Sequence, residues 1–213
     1  DQVWTEVIEG RLERCPFELP RENLDEEVAG IDPETMGKVF EGLMYGDARS
    51  RSGSFYTPRD VVERMTISSI SHQIADISGL DAELIEGWAT RQRHEISLDE
   101  RTRLRAALQD FRVLDPACGT GAFLLEAAQI LAALWAVVEG SQRDHLLLRR
   151  VIHNHIFGID IQNTAVRLCE LRLWLAILVA TPSADAMRLP PLPNLSHRVV
   201  CGNALLSPLD YIL

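Results

Sequence analysis

The chain contains the same order of elements twice: a short apolar run that ends in an aspartate, a turn, and a long apolar helix. The first copy occupies residues 111–115 and 122–138, and the second occupies 155–160 and 164–180. A third apolar run, at 198–201, follows a proline-rich connection. Strands that alternate with helices in this way predict a parallel sheet with right-handed crossovers, and therefore an α/β fold.

Residues 1–110 lack this alternation and read as a helical N-terminal region. Thr57, Pro58 and Asp60 predict the start of a helix, with Thr57 as the cap, Pro58 in the first turn and Asp60 as the acid of a capping box. Residues 80–110 read as further helix with a solvated charged face, whose basic members are Arg91, Arg93, Arg101, Arg103 and Arg105. We therefore divide the chain into 1–110 and 111–213, the second being the first half of a sheet domain.

The net charge of −10 is concentrated near the start of the chain. Residues 1–35 hold 11 acidic and 3 basic side chains, whereas the remainder holds 20 acidic and 18 basic ones. This balance excludes a long basic stripe of the kind that neutralises many phosphates. Any strong contact with nucleic acid is expected to come mainly from other regions of a longer protein.

Cysteine and histidine spacing argues against a disulfide framework and against a metal site. The four cysteines are far apart and form no CxxC pair, so reduced thiols and a cytoplasmic location are expected. His153 and His155 have no third ligand nearby, and we assign no metal. The apolar segment 122–138 contains Glu126 and falls short of a membrane span, so burial against a sheet is predicted and no membrane partner is expected.

The first strand ends in Asp115, and a turn containing Gly119 and Gly121 follows it. Strand, acid, glycine turn and helix is the layout of a nucleotide-type ligand site at the carboxyl edge of a parallel sheet. Leu124 occupies the position of the third glycine in a dinucleotide fingerprint, and Asp115 would repel a pyrophosphate. A ligand with a cationic amine and a sulfonium fits this charge better, although a turn that serves only packing is the alternative.

Two further polar side chains are predicted at the same edge. Asp160 ends the second strand, where a carboxylate can accept hydrogen bonds from both ribose hydroxyls of an adenosyl group. Asn203 follows the third strand in a Gly-Asn turn, and its carbonyl can accept from an adenine amino group. A solvent-exposed Asp and an ordinary turn are the alternatives for these two positions.

Four blocks, taken in order, resemble a known enzyme family. Residues 53–58 read GSFYTP, 113–123 read VLDPACGTGAF, 156–161 read IFGIDI and 200–206 read VCGNALL. The chain resembles the gamma-type adenine-N6 DNA methyltransferases of type I, type IIG and phage-defence modification proteins. The resemblance implies a partial Rossmann-like methyltransferase sheet containing the first three parallel strands, and S-adenosylmethionine as the cofactor.

The resemblance also implies which residues contact that cofactor: Tyr56, Thr57, Pro58, Asp115, Ala117, Gly119, Gly121, Asp160, Ile161, Asn203 and Leu205. The Tyr-Thr-Pro block would line the methionine end, where a helix N-terminus favours a carboxylate. Asp115, Ala117 and Gly119 would flank the methionine amine. Asp160 would hold the ribose, and Asn203 would read adenine. The family often has Asp at the position of Asn203.

The family's catalytic block, an Asn/Asp-Pro-Pro-aromatic tetrapeptide that binds the flipped base, has no counterpart in this sequence. Pro190-Pro191 is followed by Leu192 and precedes the third strand, so no catalytic residue is assigned and the block is expected beyond Leu213. The fragment alone is therefore expected to be inactive. A longer parent sequence without such a tetrapeptide after Leu213 would refute the methyltransferase hypothesis.

Other functions and partners remain open at this point. The alternatives are a non-catalytic cofactor-binding or interaction fragment and a protein or RNA methyltransferase. DNA binding through other regions and a specificity domain or subunit are expected partners. Self-association is also expected. A methyltransferase sheet places its first strand centrally, with the fourth and later strands beside it, so a sheet without those strands would leave the first strand as a bare apolar edge.

Overall fold

The computed structural model describes residues 57–92, 95–142, 144–182, 195 and 197–206. Tyr56, the apolar positions at 36–44 and most of the proline-rich connection lie outside these ranges. Within them the chain forms six helices and three strands, in the order α1 Arg59–Ser78, α2 Ala82–Ala89, α3 Leu98–Gln109, β1 Val113–Asp115, α4 Ala122–Glu139, α5 His145–His155, β2 Ile156–Asp160, α6 Asn163–Val179 and β3 Val199–Cys201.

The three strands form a parallel sheet in the order β1-β2-β3. Val113 pairs with Ile156, and Gly158 pairs with Val199, so β2 lies between its two neighbours. Each crossover contains at least one helix, which is the connection that parallel strands need. The predicted α/β fold with a partial Rossmann-like parallel sheet is confirmed.

Helix α4 is the centre of the hydrophobic core. Leu124, Leu131 and Leu134 are fully buried, and the helix packs against α1, α2, α3, α5, β1 and β2. By length and composition alone α4 could cross a membrane, since it has 18 residues and a mean hydropathy of 1.7. However, 61% of it is buried inside the described structure, as the prediction of a helix packed on a sheet requires.

Helices α1 to α3 belong to the same core as the sheet. Ile74, Ile85, Trp88 and Leu104, which come from these helices, have no exposed surface. The division of the chain at 110/111 remains a prediction about organisation, because the described helices on both sides of it pack against α4.

The segment 80–110 forms two helices where the sequence predicted helix throughout. Helix α2 ends at Ala89, and α3 begins at Leu98 after a complete capping box between Ser97 and Glu100. The Ser97 hydroxyl accepts from the Glu100 N–H at 3.3 Å, and the Ser97 N–H donates to the Glu100 carboxylate at 2.7 Å. Local capping therefore decides the start of α3.

The predicted Thr57 cap of α1 is wrong by one residue. Helix α1 begins at Arg59, and the cap is Pro58, whose ψ of 144° is not helical. The Pro58 carbonyl accepts from the N–H groups of Val61 and Val62 at 3.1 and 3.0 Å, and no side chain caps the helix. Asp60 consequently lies at the second helical position and cannot complete a capping box, although its charge still favours the first turn.

Two arginines that were predicted to lie on a solvated face instead bind the ends of other helices. Arg103 donates from Nε and Nη2 to the Ser78 carbonyl at 2.9 and 2.8 Å. Arg105 donates from Nη2 to the Val138 carbonyl at 3.3 Å. The last carbonyls of a helix lack intrahelical partners and carry partial negative charge, so these contacts fix α3 against the ends of α1 and α4.

The sheet face opposite α4 carries exposed apolar side chains. Gly158 points toward α4, because a Cβ at this position would meet Leu124 at 2.7 Å. Strand alternation therefore places Leu114 and Val200 on the other face, where they are 58% and 37% exposed. In the described part of the sheet, β1 pairs with β2 alone and forms one edge.

Candidate functional site

The last residues of the three strands meet at one edge of the sheet. Asp115 ends β1, Asp160 ends β2 and Cys201 ends β3. The register pairs Asp115 with Gly158 and Asp160 with Cys201, so the turns that follow all three strands leave from the same edge. The structure therefore brings together the predicted site residues at these turns: Asp115, Ala117, Gly119, Gly121, Asp160, Ile161, Asn203 and Leu205.

The two glycines of the first turn have different structural reasons to lack a side chain. Both have left-handed backbone conformations, with φ of 54° at Gly119 and 82° at Gly121. A Cβ at Gly119 would meet nothing within 4 Å, so open space lies beside this position. A Cβ at Gly121 would collide with the Cys169 sulfur on α6. Gly119 thus leaves room for a ligand, whereas Gly121 permits close packing of α6 beneath the turn.

Asp160 connects the three turns through hydrogen bonds. Its Oδ2 accepts from the Gly119 N–H at 2.9 Å, and its Oδ1 accepts from the Gln162 N–H at 2.8 Å. Its main-chain carbonyl accepts from the Gly202 N–H at 2.9 Å. The neighbouring Ile159 carbonyl accepts from the Cys118 N–H at 2.9 Å.

Asp115 forms the second carboxylate of the edge. Its Oδ1 accepts from the Ala117 N–H at 3.0 Å, which holds the side chain over the start of the turn. Burial raises the pKa of Asp115 above its ordinary value of 3.8, the bond from Ala117 lowers it, and the charge of Asp160 raises it. Because two acids interact at this edge, a cationic group placed between them would be favoured.

The third turn places one polar side chain beside exposed apolar ones. Asn203 Oδ1 accepts from the Leu205 N–H at 3.0 Å, so the amide stabilises its own turn. An amide oxygen has a second lone pair, which leaves one acceptor position for a ligand. Ile161 and Leu205 are 67% and 93% exposed, and they supply apolar surface at the same edge.

Thr57 and Pro58 lie at the start of α1, which packs against α4, the helix that follows the glycine turn. Thr57 is half-buried and Pro58 is exposed. Their approach to the methionine end of a cofactor stays a prediction, as does that of Tyr56, which lies outside the described residues.

Sequence reasoning missed the contact between Cys118 and Cys169. Both thiols are free and buried near each other beneath the glycine turn, and the Cys118 thiol donates to the Gly119 carbonyl at 3.8 Å. The neighbouring Cys118 thiol and burial raise the pKa of Cys169 well above its ordinary value of 9.0. No sequence signal joins two cysteines so far apart, since the contact depends on how α6 packs under the turn.

His153 and His155 lie in the last turn of α5 and have different surroundings. His155 is buried, and its Nδ1 is 2.8 Å from the Phe111 carbonyl, so it connects α5 to the start of β1. Burial lowers the pKa of His155 from its ordinary value of 6.5. His153 is exposed. Across the described ranges no group of three or more His, Cys, Asp or Glu residues could hold a metal ion, and the expectation of no metal stays a prediction.

Comparison with known protein families agrees with this geometry. Residues 90–211 match the family model of the MmeI DNA-methyltransferase domain, which is more than half of the chain. The chain belongs to this family. The family assignment places the strand-end turns in a methyltransferase domain, in accordance with the resemblance of the four sequence blocks.

Two relatives are similar to the chain over different lengths. A Methanocaldococcus jannaschii protein named as a type II restriction enzyme and methyltransferase is 29% identical over 233 residues, covering 99% of this chain and 19% of that protein. An Escherichia coli protein named adenine-specific methyltransferase BrxX is 38% identical over 60 residues, covering 28% of this chain and 5% of that protein. The chain thus spans about a fifth, or less, of these relatives. The predicted resemblance to a DNA methyltransferase family is confirmed at the level of this domain.

Proposed function

We propose that the chain forms the S-adenosylmethionine-binding part of a site-specific adenine-N6 DNA methyltransferase. The observation that carries this proposal is the meeting of two carboxylates, a glycine turn and an asparagine at the carboxyl edge of one parallel sheet. The open space beside Gly119 and the two neighbouring acids suit a ligand that carries a cationic amine and a sulfonium.

Each strand end would bind a different part of the cofactor. Asp115 and the turn at 117–119 would hold the methionine amine, and Asp160 would accept from the ribose hydroxyls. Ile161 and Leu205 would pack on the adenine ring, because both are exposed apolar side chains at the edge. The free lone pair of Asn203 would accept from the adenine amino group. Tyr56, Thr57 and Pro58 would approach the methionine carboxylate.

The chemical contribution of these residues is positioning. S-adenosylmethionine supplies an activated methyl group on its sulfonium, and the reaction is an in-line transfer of that methyl to an amine. Fixing the donor in one orientation lowers the barrier by removing translational and rotational freedom before the reaction. The side chains that would bind the flipped adenine are expected in an Asn/Asp-Pro-Pro-aromatic block outside this sequence, so these 213 residues alone would bind cofactor without transferring methyl.

The target and the partners are also part of the proposal. The name of the Escherichia coli relative, adenine-specific methyltransferase, supports adenine as the base, and that of the Methanocaldococcus jannaschii relative supports a role in restriction–modification. The described strand ends carry acidic rather than basic side chains, so DNA would be held by other regions and by a specificity domain or subunit. We propose a cytoplasmic location, in which the cysteines stay reduced.

Calorimetric titration with S-adenosylmethionine tests the cofactor assignment. We expect saturable binding at one site, and we expect Asp115→Asn to weaken it at least tenfold, because the variant loses the charge that attracts the amine. Asp81→Asn is the matched control, since Asp81 also binds a backbone N–H but caps α2. Absence of binding by the wild-type chain, or equal affinity in both variants, would contradict the assignment.

The exposed edge of β1 leads to a separate expectation about assembly. β1 is one of the two edge strands of the described sheet, and its Leu114 is 58% exposed on the sheet face opposite α4. We propose that the 213-residue chain self-associates through this edge, as bare strand edges tend to do. Light scattering should show a mass that increases with concentration, and Leu114→Lys should reduce the increase. A monomer at all concentrations would refute this proposal.

A further inference from the structure

The Asp160 carboxylate accepts hydrogen bonds from the protein's own main chain. Its two oxygens accept from two N–H groups in different turns, Gly119 at 2.9 Å and Gln162 at 2.8 Å. A side chain that only contacted ribose would have no need of a bond to the turn after another strand. The position of Asp160 therefore indicates a role in the protein as well as one toward the ligand.

The Cys118–Gly119 peptide is held at both of its polar groups: its N–H donates to the Asp160 carboxylate at 2.9 Å, and its carbonyl accepts from the Gly121 N–H at 2.8 Å within the turn. Gly119 has a left-handed φ of 54°, and no atom lies within 4 Å of where its Cβ would be. Packing from that side therefore cannot determine the orientation of the turn. A hydrogen bond to an ionised acceptor is about twice as strong as one between neutral groups, so the carboxylate is the stronger constraint on this peptide.

The main chain around Asp160 supports the same arrangement. The Cys118 N–H donates to the Ile159 carbonyl, and the Gly202 N–H donates to the Asp160 carbonyl, both at 2.9 Å. The end of β2 thus holds the turns after β1 and β3. Of the two bonds from the end of β2 to the turn after β1, the one from Cys118 is between main-chain atoms and the one from Gly119 uses a side chain, so a substitution can remove the latter.

We propose that Asp160 is a positioning residue that orients the Gly119 peptide for the methionine part of the cofactor, in addition to contacting the ribose. This inference rests on the proposed cofactor site. A carboxylate has about four acceptor positions, and the two N–H groups use two of them, so the others are free for hydroxyl groups. One side chain therefore links the two halves of the binding site.

Two ligands separate the positioning role from the ribose contact. S-adenosylhomocysteine has both ribose hydroxyls, and its 2′,3′-dideoxy analogue has neither. If Asp160 only bound ribose, Asp160→Ala would not change affinity for the analogue. If Asp160 also positions the turn, the variant should bind the analogue about tenfold more weakly than the wild type does. Because the analogue has no ribose hydroxyls, this loss of affinity would come from the turn.

Equal affinity of wild type and Asp160→Ala for the analogue would overturn the positioning role. Asp144→Asn is the matched control, because Asp144 binds the Leu147 N–H at 2.8 Å as the cap of α5. It should leave the affinity for both ligands unchanged. If the wild type binds neither ligand, the proposed function fails, and the positioning role is then decided by the following measurement.

Amide hydrogen exchange in the ligand-free full chain tests the positioning role directly. In Asp160→Ala, the Gly119 and Gln162 amides should both exchange at least tenfold faster than in the wild type. In Asp160→Asn, one of the two should accelerate, because an amide group has a single acceptor oxygen. Asp115→Asn should leave Gly119 protected. Wild-type exchange of both amides in Asp160→Ala, at unchanged global stability, would refute the inference.

Discussion

Gly121→Ala is expected to lower the free energy of unfolding by roughly 2–5 kcal/mol and to abolish cofactor binding. Two physical effects add at this position. The φ of 82° is strained for any residue with a Cβ, and the new methyl group would collide with the Cys169 sulfur. Relief of the collision would require the turn and α6 to separate, which would move Gly119 and Asp160 apart. Urea denaturation and calorimetric titration would measure the two losses.

Gly140→Ala is the matched control for backbone strain alone. Gly140 also has a left-handed φ, 64°, but no atom lies within 4 Å of the position of its Cβ. We expect it to cost only about 1–2 kcal/mol and to leave binding intact. Adding Cys169→Ala to Gly121→Ala should restore part of the stability. If Gly121→Ala and Gly140→Ala cost the same, the packing role of Cys169 is wrong.

Leu124→Ala is expected to cost about 2–5 kcal/mol of unfolding free energy. Leu124 is fully buried in α4, one turn after the glycine turn, and its Cδ1 faces the backbone of Gly158 in the middle strand. Truncation would remove contacts between the central helix and the sheet and leave a cavity beneath β2. Thermal or urea unfolding would measure the loss.

Enlarging Gly158 tests its contact with Leu124. Gly158→Ala alone should destabilise the chain by about 1–3 kcal/mol, because its Cβ would lie 2.7 Å from Leu124. Combined with Leu124→Ala, it should partly fill the cavity, so the double variant should be more stable than the sum of the single changes predicts. Leu98→Ala, at a position that is 81% exposed, should change stability by less than about 0.5 kcal/mol. Strict additivity would contradict direct contact.

Sequence patterns predicted those parts of the molecule that local chemistry determines. Apolar runs ending in Asp115 and Asp160 predicted β1 and β2, and Gly121 predicted the start of α4. The sheet followed from the alternation of strands and helices, since parallel strands require crossovers. For the same reason, the site residues after the strands were predicted to share an edge, and the structure places them there.

The features that the sequence did not predict depend on which elements pack together. Hydrophobic periodicity indicates which side of a helix is buried but not what covers it. Arg103 was therefore predicted to face solvent, whereas it binds the end of α1. The proximity of Cys118 and Cys169 depends on the approach of α6 to the turn. The wrong prediction of a Thr57 cap has a different cause: the backbone conformation of Pro58 is not helical, so the helix begins one residue later.

The bonds around Asp160 have a thermodynamic consequence for folding. The half of the chain before α5 supplies the glycine turn, and the half after it supplies the carboxylate that holds this turn. A ligand that contacts both would stabilise the pairing of β1 with β2. A ligand that binds the native state and not the unfolded one increases the free energy of unfolding in proportion to the logarithm of its concentration. The cofactor concentration in the cell would therefore influence not only the activity of such a protein but also the fraction of it that stays folded.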